Sequence, residues 1–137
     1  MFRMFRSRIQ HPLYPAISAT PAEDSCGQSP ALAGTFEQLL RAGTRHAQAS
    51  RAVYVLLGDG DPPLSDAHRD ALWELFQVPV YVLVVDANRR ICAYECEAHE
   101  GLHLPAITAS RRPRHGVEMS PCNCGRPGPR LTDRSLP

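Results

Sequence analysis

The stretches Ala52-Val-Tyr-Val-Leu-Leu57 and Val78-Pro-Val-Tyr-Val-Leu-Val-Val85 decide the fold class. Both are short apolar runs rich in β-branched and aromatic residues, which is typical of strands buried in a parallel sheet. Between them, Ser65 can cap a helix whose apolar residues recur at helical spacing. Those residues are Ala67, Ala71, Leu72, Leu75 and Phe76. A strand, a helix and a strand in this order predict a small βαβ unit and therefore the α/β class.

Downstream of this unit the sequence predicts one more strand. Asp86-Ala-Asn-Arg-Arg90 has the composition of a tight turn, and Ile91-Cys-Ala-Tyr-Glu-Cys96 alternates as a strand does. We expect these two pieces to form a hairpin with the preceding strand. From His99 onward Gly, Pro and Arg dominate, so an irregular C-terminal segment is predicted.

Upstream, Thr35 can cap a further helix that reaches about Ala49. Residues 1–33 mix Pro, Ser, Ala and Gly without periodicity, and we predict that they are irregular. The expected organisation is thus an irregular segment over 1–33, an α/β domain over 34–132 and a tail over 133–137.

Charge and composition exclude several classes of function. The formal net charge is +1, so the whole chain has no electrostatic preference for nucleic acid or membrane. All fifteen basic residues are arginine, which excludes Schiff-base chemistry and other reactions that need a lysine. No run of eighteen apolar residues occurs, and the basic N-terminus lacks the apolar core of a secretory signal. We therefore expect a cytoplasmic protein.

The five cysteines point to metal binding. An odd number in a reducing compartment argues against a disulfide framework. Three of the thiols, Cys96, Cys122 and Cys124, lie near two histidines, His99 and His103, and thiolate and imidazole are the ligands that zinc prefers. A bound metal would also order a C-terminal segment that has no apolar face to bury.

A set of motifs in a fixed order resembles one branch of a known enzyme family. The pieces are Gly58-Asp-Gly-Asp-Pro-Pro-Leu-Ser65, Glu74-Leu-Phe-Gln-Val-Pro-Val-Tyr81, Tyr94-Glu-Cys96, Gly101-Leu-His103 and Cys122-Asn-Cys124-Gly-Arg126. Together they resemble the phenylacetate-CoA ligase branch of the adenylate-forming (AMP-binding) enzymes, over roughly residues 52 to 132. The resemblance implies a structural zinc site whose ligands are Cys96, His103, Cys122 and Cys124, and it selects His103 over His99.

The same resemblance implies that the catalytic parts are missing. The family's phosphate-binding loop, its Thr-Glu pair, its ribose-binding aspartate and its catalytic lysine have no counterpart here. We therefore expect no catalytic or nucleotide-binding residues, and a truncated, degenerate relative with a binding or regulatory role. Its exposed apolar face would support self-association or a protein partner.

Two other functions are compatible with the sequence. The chain could be one subunit of a split ATP-dependent acyl-CoA ligase, or a zinc-knuckle nucleic-acid binder that uses Arg126, Arg130 and the Arg111–Arg114 run. No aromatic residue follows Tyr94, which argues against base stacking.

We also expect a solvated rim at Glu97, His99 and Glu100, a core position for Cys92 and a packing role for Trp73.

Overall fold

The computed structural model describes residues 9–58, 60–105, 117–118, 121–126 and 128–131. Within these ranges the chain is mixed α/β, so the predicted class is confirmed, and the strand, helix, strand order is confirmed as well. The elements are β1 (Ile9–Gln10), β2 (Ser18–Pro21), β3 (Gln28–Gly34), α1 (Phe36–Thr44), β4 (Gln48–Gly58), α2 (Asp66–Phe76), β5 (Val80–Val85), β6 (Ile91–Glu95), β7 (Leu102–His103), β8 (Val117–Glu118) and β9 (Arg130–Leu131).

The chain divides into two compact units, Met1–Leu56 with Leu64–Val80 and Leu57–Pro63 with Tyr81–Pro137. In the first unit β1 runs antiparallel to β2, whereas β2, β3 and β4 are parallel to one another. Its core consists of side chains from these strands and from both helices, and the largest that are fully buried are Leu32, Leu39, Val53, Tyr54, Val55 and Leu72.

Local capping explains where both helices begin. Thr35 and Gln38 form a reciprocal capping box, in which the Gln38 N–H donates to Thr35 Oγ1 at 3.2 Å and the Thr35 N–H donates to Gln38 Oε1 at 2.9 Å. Ser65 Oγ accepts the His68 N–H at 3.1 Å at the start of α2, as predicted. The first helix ends at Thr44, and the following residues join β4 instead of continuing to Ala49.

The expectation of an irregular segment over 1–33 is wrong for residues 9–33, because β1, β2 and most of β3 lie there. These strands consist largely of alanine and other small residues, which carry no strong β-propensity signal. Their order comes from pairing in sequence, since β1 pairs with β2, β2 with β3 and β3 with β4. Pro30 also obscures the pattern, and it lies where the register of β3 against β4 shifts between Ser29 and Ala31.

The second unit contains an antiparallel sheet in the order β5-β6-β7-β9-β8. The predicted hairpin between β5 and β6 is confirmed, and Asp86 forms its turn by accepting the N–H groups of Asn88 at 2.8 Å and Arg90 at 2.9 Å. The sequence did not predict β7, β8 and β9, since two residues are too few to show a period. The predicted tail over 133–137 lies outside the described residues.

Candidate metal centre

Four side chains of the second unit converge on one point. Cys96 follows directly after β6, His103 is the last residue of β7, and Cys122 and Cys124 lie in the connection between β8 and β9. Their three sulfurs and one imidazole nitrogen all lie within 4.8 Å of one another. Cys96, His103 and Cys122 are buried, whereas Cys124 is half-buried. These residues could hold one metal ion.

The distances between ligand atoms fit a tetrahedral ion. Cys96 Sγ lies 3.6 Å from Cys122 Sγ, and Cys124 Sγ lies 3.6 Å from His103 Nε2. An ion bound at about 2.3 Å from sulfur and about 2.0 Å from nitrogen requires S···S edges of about 3.8 Å and S···N edges of about 3.5 Å. A sulfur–sulfur pair within 4.8 Å would need to close by at most about 1 Å, and a sulfur–nitrogen pair by at most about 1.3 Å. All five cysteines are free of disulfide bonds.

A tight turn aims the Cys96 sulfur inward. The Ala98 N–H donates to Cys96 Sγ at 3.3 Å, and the His99 N–H donates to the Cys96 carbonyl oxygen at 3.0 Å. The backbone then passes through positive φ at His99 (55°) and Gly101 (95°), which returns the chain into β7. N–H donation to sulfur favours the thiolate form that binds metal.

The Cys122-Asn-Cys124-Gly125 segment is a second tight turn. The Gly125 N–H donates to the Cys122 carbonyl oxygen at 2.8 Å, and Gly125 has a φ of 89°. Glycine adopts this conformation without the steric cost that a Cβ would add. The turn brings two sulfurs, from residues only two apart, to the same side of the backbone.

Three contacts that involve no candidate ligand join the loop after Cys96 to the loop that contains Cys122 and Cys124 and to the start of β9. Arg126 Nη1 donates to both carboxylate oxygens of Glu97, at 3.0 and 3.1 Å. Asn123 Nδ2 donates to Glu100 Oε2 at 2.7 Å, and Arg130 Nη1 donates to the Glu100 carbonyl oxygen at 2.6 Å. These contacts hold the loop after Cys96 against the loop that contains Cys122 and Cys124.

The surroundings of each group shift its affinity for protons. Burial raises the pKa of the Cys96 thiol to about 12, so without a metal this thiol is protonated at neutral pH. Burial, together with Arg130 and Arg126, lowers the pKa of His103, which favours the neutral imidazole that binds metal. Burial acts to raise the pKa of Cys124, but hydrogen bonds from the backbone N–H and guanidinium of Arg126 outweigh it and the net shift is downward.

His99, the second imidazole of this loop, lies outside the four-residue cluster. Its ring stacks on Tyr81 with centroids 5.3 Å apart, and its Nδ1 lies 3.4 Å from Glu95 Oε1. Glu95 is buried, and the same oxygen accepts the Val82 N–H at 3.0 Å. The His99 ring thus contacts Tyr81 and Glu95 of the second unit. It is not one of the four groups that lie within 4.8 Å of one another. By contrast, His103 stacks on Tyr94 at 5.5 Å, which fixes its ring within the cluster.

Several other expectations have clear outcomes. Cys92, expected in the core, is only half-buried. Its Sγ donates weakly to the Arg90 carbonyl oxygen at 3.6 Å, and it lies outside the four-residue cluster. Trp73, expected to have a packing role, is 50% exposed on α2 and lies outside the buried core. Glu97, His99 and Glu100 are exposed, as expected for a solvated rim, and Glu97 and Glu100 also bind side chains of the second loop.

The arginines expected to contact nucleic acid fall into two groups. Arg126 pairs with Glu97, and Arg130 is buried with its guanidinium on Glu100. The Arg111–Arg114 run lies outside the described residues. Within the described part of the chain, no helix is both long and apolar enough to cross a bilayer.

A few residues near the site were not predicted in their roles. The sequence alone predicts no role for Asn123, and for Arg126 and Arg130 it predicts only contact with nucleic acid as an alternative. The contacts of these residues join positions 23 to 30 residues apart, and no local sequence pattern predicts such pairs.

A comparison of the chain with sequence models of known protein families finds no match. A comparison with curated proteins finds none either.

Proposed function

We propose that Cys96, His103, Cys122 and Cys124 bind one structural zinc ion, and that the chain is a zinc-stabilised, non-catalytic protein with a binding or regulatory role. The observation that carries this proposal is the convergence of three sulfurs and one imidazole nitrogen within 4.8 Å. Soft thiolates with imidazole in tetrahedral arrangement favour zinc over the harder divalent cations, which prefer oxygen ligands.

Four protein ligands favour a structural role for the ion. A catalytic zinc keeps one coordination position for water or substrate, whereas four side chains fill the tetrahedron. The burial of Cys96, His103 and Cys122 further limits solvent access. When bound, the ion would act as a cross-link between the loop after β6 and the loop before β9.

Zinc binding should contribute a large part of the folding free energy of the segment after β6, which has little regular structure. Structural zinc sites contribute about 10 to 16 kcal/mol in small peptides at neutral pH, which is comparable to the whole stability of a typical domain. The strands β7, β8 and β9 have two residues each, so their ladders alone add little. We infer that metal binding supplies most of the order of this segment.

The resemblance to the phenylacetate-CoA ligase branch of the adenylate-forming enzymes is part of the same proposal. It is supported by the fact that the four residues selected from the motifs lie together. The Thr-Glu pair of that branch has no counterpart after Tyr81, which supports a role other than ligation by this chain alone. ATP-dependent pyrophosphate release with arylacetates and CoA should therefore be absent, and measurable turnover would contradict the non-catalytic role.

Metal content tests the zinc proposal. The chain purified without added metal should contain one zinc per molecule by elemental analysis, and a Cys26→Ser, Cys92→Ser variant should retain it because both thiols lie outside the cluster. Removal of zinc with EDTA should lower the thermal midpoint followed by circular dichroism, and added zinc should restore it. A zinc content near zero, or a melt that EDTA leaves unchanged, would refute the structural site.

A further inference from the structure

The three sulfurs of the cluster differ in their access to solvent. Cys96 and Cys122 are buried, as is His103, whereas Cys124 is half-buried. A Cβ placed on the adjacent Gly125 would meet no atom within 4 Å apart from those of its two chain neighbours, so this turn faces open space. A small solute can therefore reach one sulfur of the cluster before the other two.

A positive charge lies at this open side. Arg126 lies two residues after Cys124, Glu97 holds its Nη1 at 3.0 Å, and 37% of the Arg126 side chain is exposed. A cation next to a reacting sulfur stabilises negative charge that develops on a leaving oxygen. Exposure, a thiolate ligand and an adjacent cation are the features of a cysteine that peroxides oxidise.

We propose that Cys124 is a modification site for hydrogen peroxide and small organic hydroperoxides, and that its oxidation releases the metal. This inference rests on the proposed zinc site. In the first step the Cys124 sulfur attacks one peroxide oxygen, an S–O bond forms and the O–O bond breaks. The second oxygen leaves as hydroxide, or as alkoxide from an organic hydroperoxide, and takes up a proton. Sulfur loses two electrons and the peroxide gains them.

The second step uses a neighbouring thiolate. The sulfurs of Cys96 and Cys122 both lie within 4.8 Å of Cys124 Sγ, so either can attack the sulfenic sulfur with little movement. An S–S bond then forms, the S–O bond breaks, and hydroxide leaves and is protonated to water. The site loses two of its three thiolates, and one thiolate with one imidazole cannot retain the ion against competing chelators. A dithiol reductant reverses the disulfide and restores the site.

The test uses the full chain, loaded with zinc, in a Cys26→Ser, Cys92→Ser background so that the remaining thiols belong to the cluster. Hydrogen peroxide is added with dimedone, which traps sulfenic acid, and peptide mapping locates the label. Zinc release is followed with a chromogenic chelator. We expect the label on Cys124, release of one zinc per chain in the absence of dimedone, and recovery of zinc binding after dithiothreitol and zinc are added.

Two matched variants separate the role of Cys124 from general loss of the site. Cys124→His and Cys122→His each leave two cysteines and two histidines, a set that binds zinc in tetrahedral geometry. Peroxide should release zinc from Cys124→His at least about tenfold more slowly than from the parent, because the accessible thiolate is gone. Peroxide should release zinc faster from Cys122→His than from Cys124→His, because only Cys122→His keeps the accessible Cys124 thiolate.

The outcomes distinguish this inference from the proposed function. A chain purified without zinc refutes the proposed function. A chain that contains zinc but retains it under peroxide, or that is labelled first at Cys96 or Cys122, refutes the inference alone. Zinc loss that dithiothreitol and zinc do not reverse would also contradict a disulfide product.

Discussion

Replacement of Cys122 with serine removes one sulfur from the four-residue cluster. Cys122 is buried, and its sulfur lies 3.6 Å from that of Cys96. A serine hydroxyl is a poor zinc ligand because it stays protonated, so the variant keeps the size of the side chain and loses the ligand.

The size of the effect follows from the number of ligands. If a structural site contributes about 10 to 16 kcal/mol through four side chains, each contributes on average about 2.5 to 4 kcal/mol. At 1.4 kcal/mol for each factor of ten, zinc affinity should fall by about 10² to 10³. A buried hydroxyl without a partner would add a further cost of about 1 to 3 kcal/mol to the stability of the variant.

A competition titration against a chromogenic chelator measures this loss directly. Cys92→Ser is the matched control, because Cys92 is half-buried on β6 and lies outside the cluster. Its zinc affinity should stay within about twofold of the parent value, since surface-like substitutions away from a site have small effects. Equal affinities for Cys122→Ser and the parent, or an equal loss in Cys92→Ser, would refute the assignment of the site.

Three further predictions concern the neighbours of the site and the core of the first unit. His99→Ala should leave zinc affinity within about twofold, whereas His103→Ala should lower it by at least about a hundredfold in the same titration; the reverse order would exchange their roles. Arg126→Gln should lower zinc affinity by about tenfold, as lost support of a ligand does, and Arg126→Lys should recover part of it; an unchanged affinity would show that the contacts to Cys124 and Glu97 are incidental. Leu39→Ala should lower the free energy of unfolding in urea by about 2 to 5 kcal/mol because Leu39 is fully buried, and a loss under 1 kcal/mol, far below the usual cost, would contradict its place in the core.

The sequence was sufficient to predict those parts of the fold in which local chemistry and periodicity agree. The α2 helix has a serine cap and an apolar stripe, and Asp86 forms the turn that its side chain favours. The strands β2 and β3 were missed for a physical reason. Ala19, Ala31 and Ala33 are buried by neighbouring elements, and alanine in a sequence does not report whether such neighbours exist.

In the candidate site, too, the sequence predicts the residue types but not the contacts between distant residues. The thiols and histidines near it are visible as residue types, and the motif order selects His103 over His99. The contacts around them are not visible, because charged residues in loops are usually solvated. Only the folded chain shows that Glu97 and Glu100 bind groups 23 to 30 residues away. The unequal exposure of the three sulfurs also depends on this arrangement.

X-ray absorption at the zinc edge of the purified protein tests the central claim most directly. The four-residue site predicts one zinc per chain with three sulfurs at about 2.3 Å and one nitrogen at about 2.0 Å. The spectrum of His103→Ala should lose the imidazole scattering, while that of His99→Ala should keep it. A zinc surrounded only by oxygen and nitrogen, or a protein that contains no zinc, would contradict the claim.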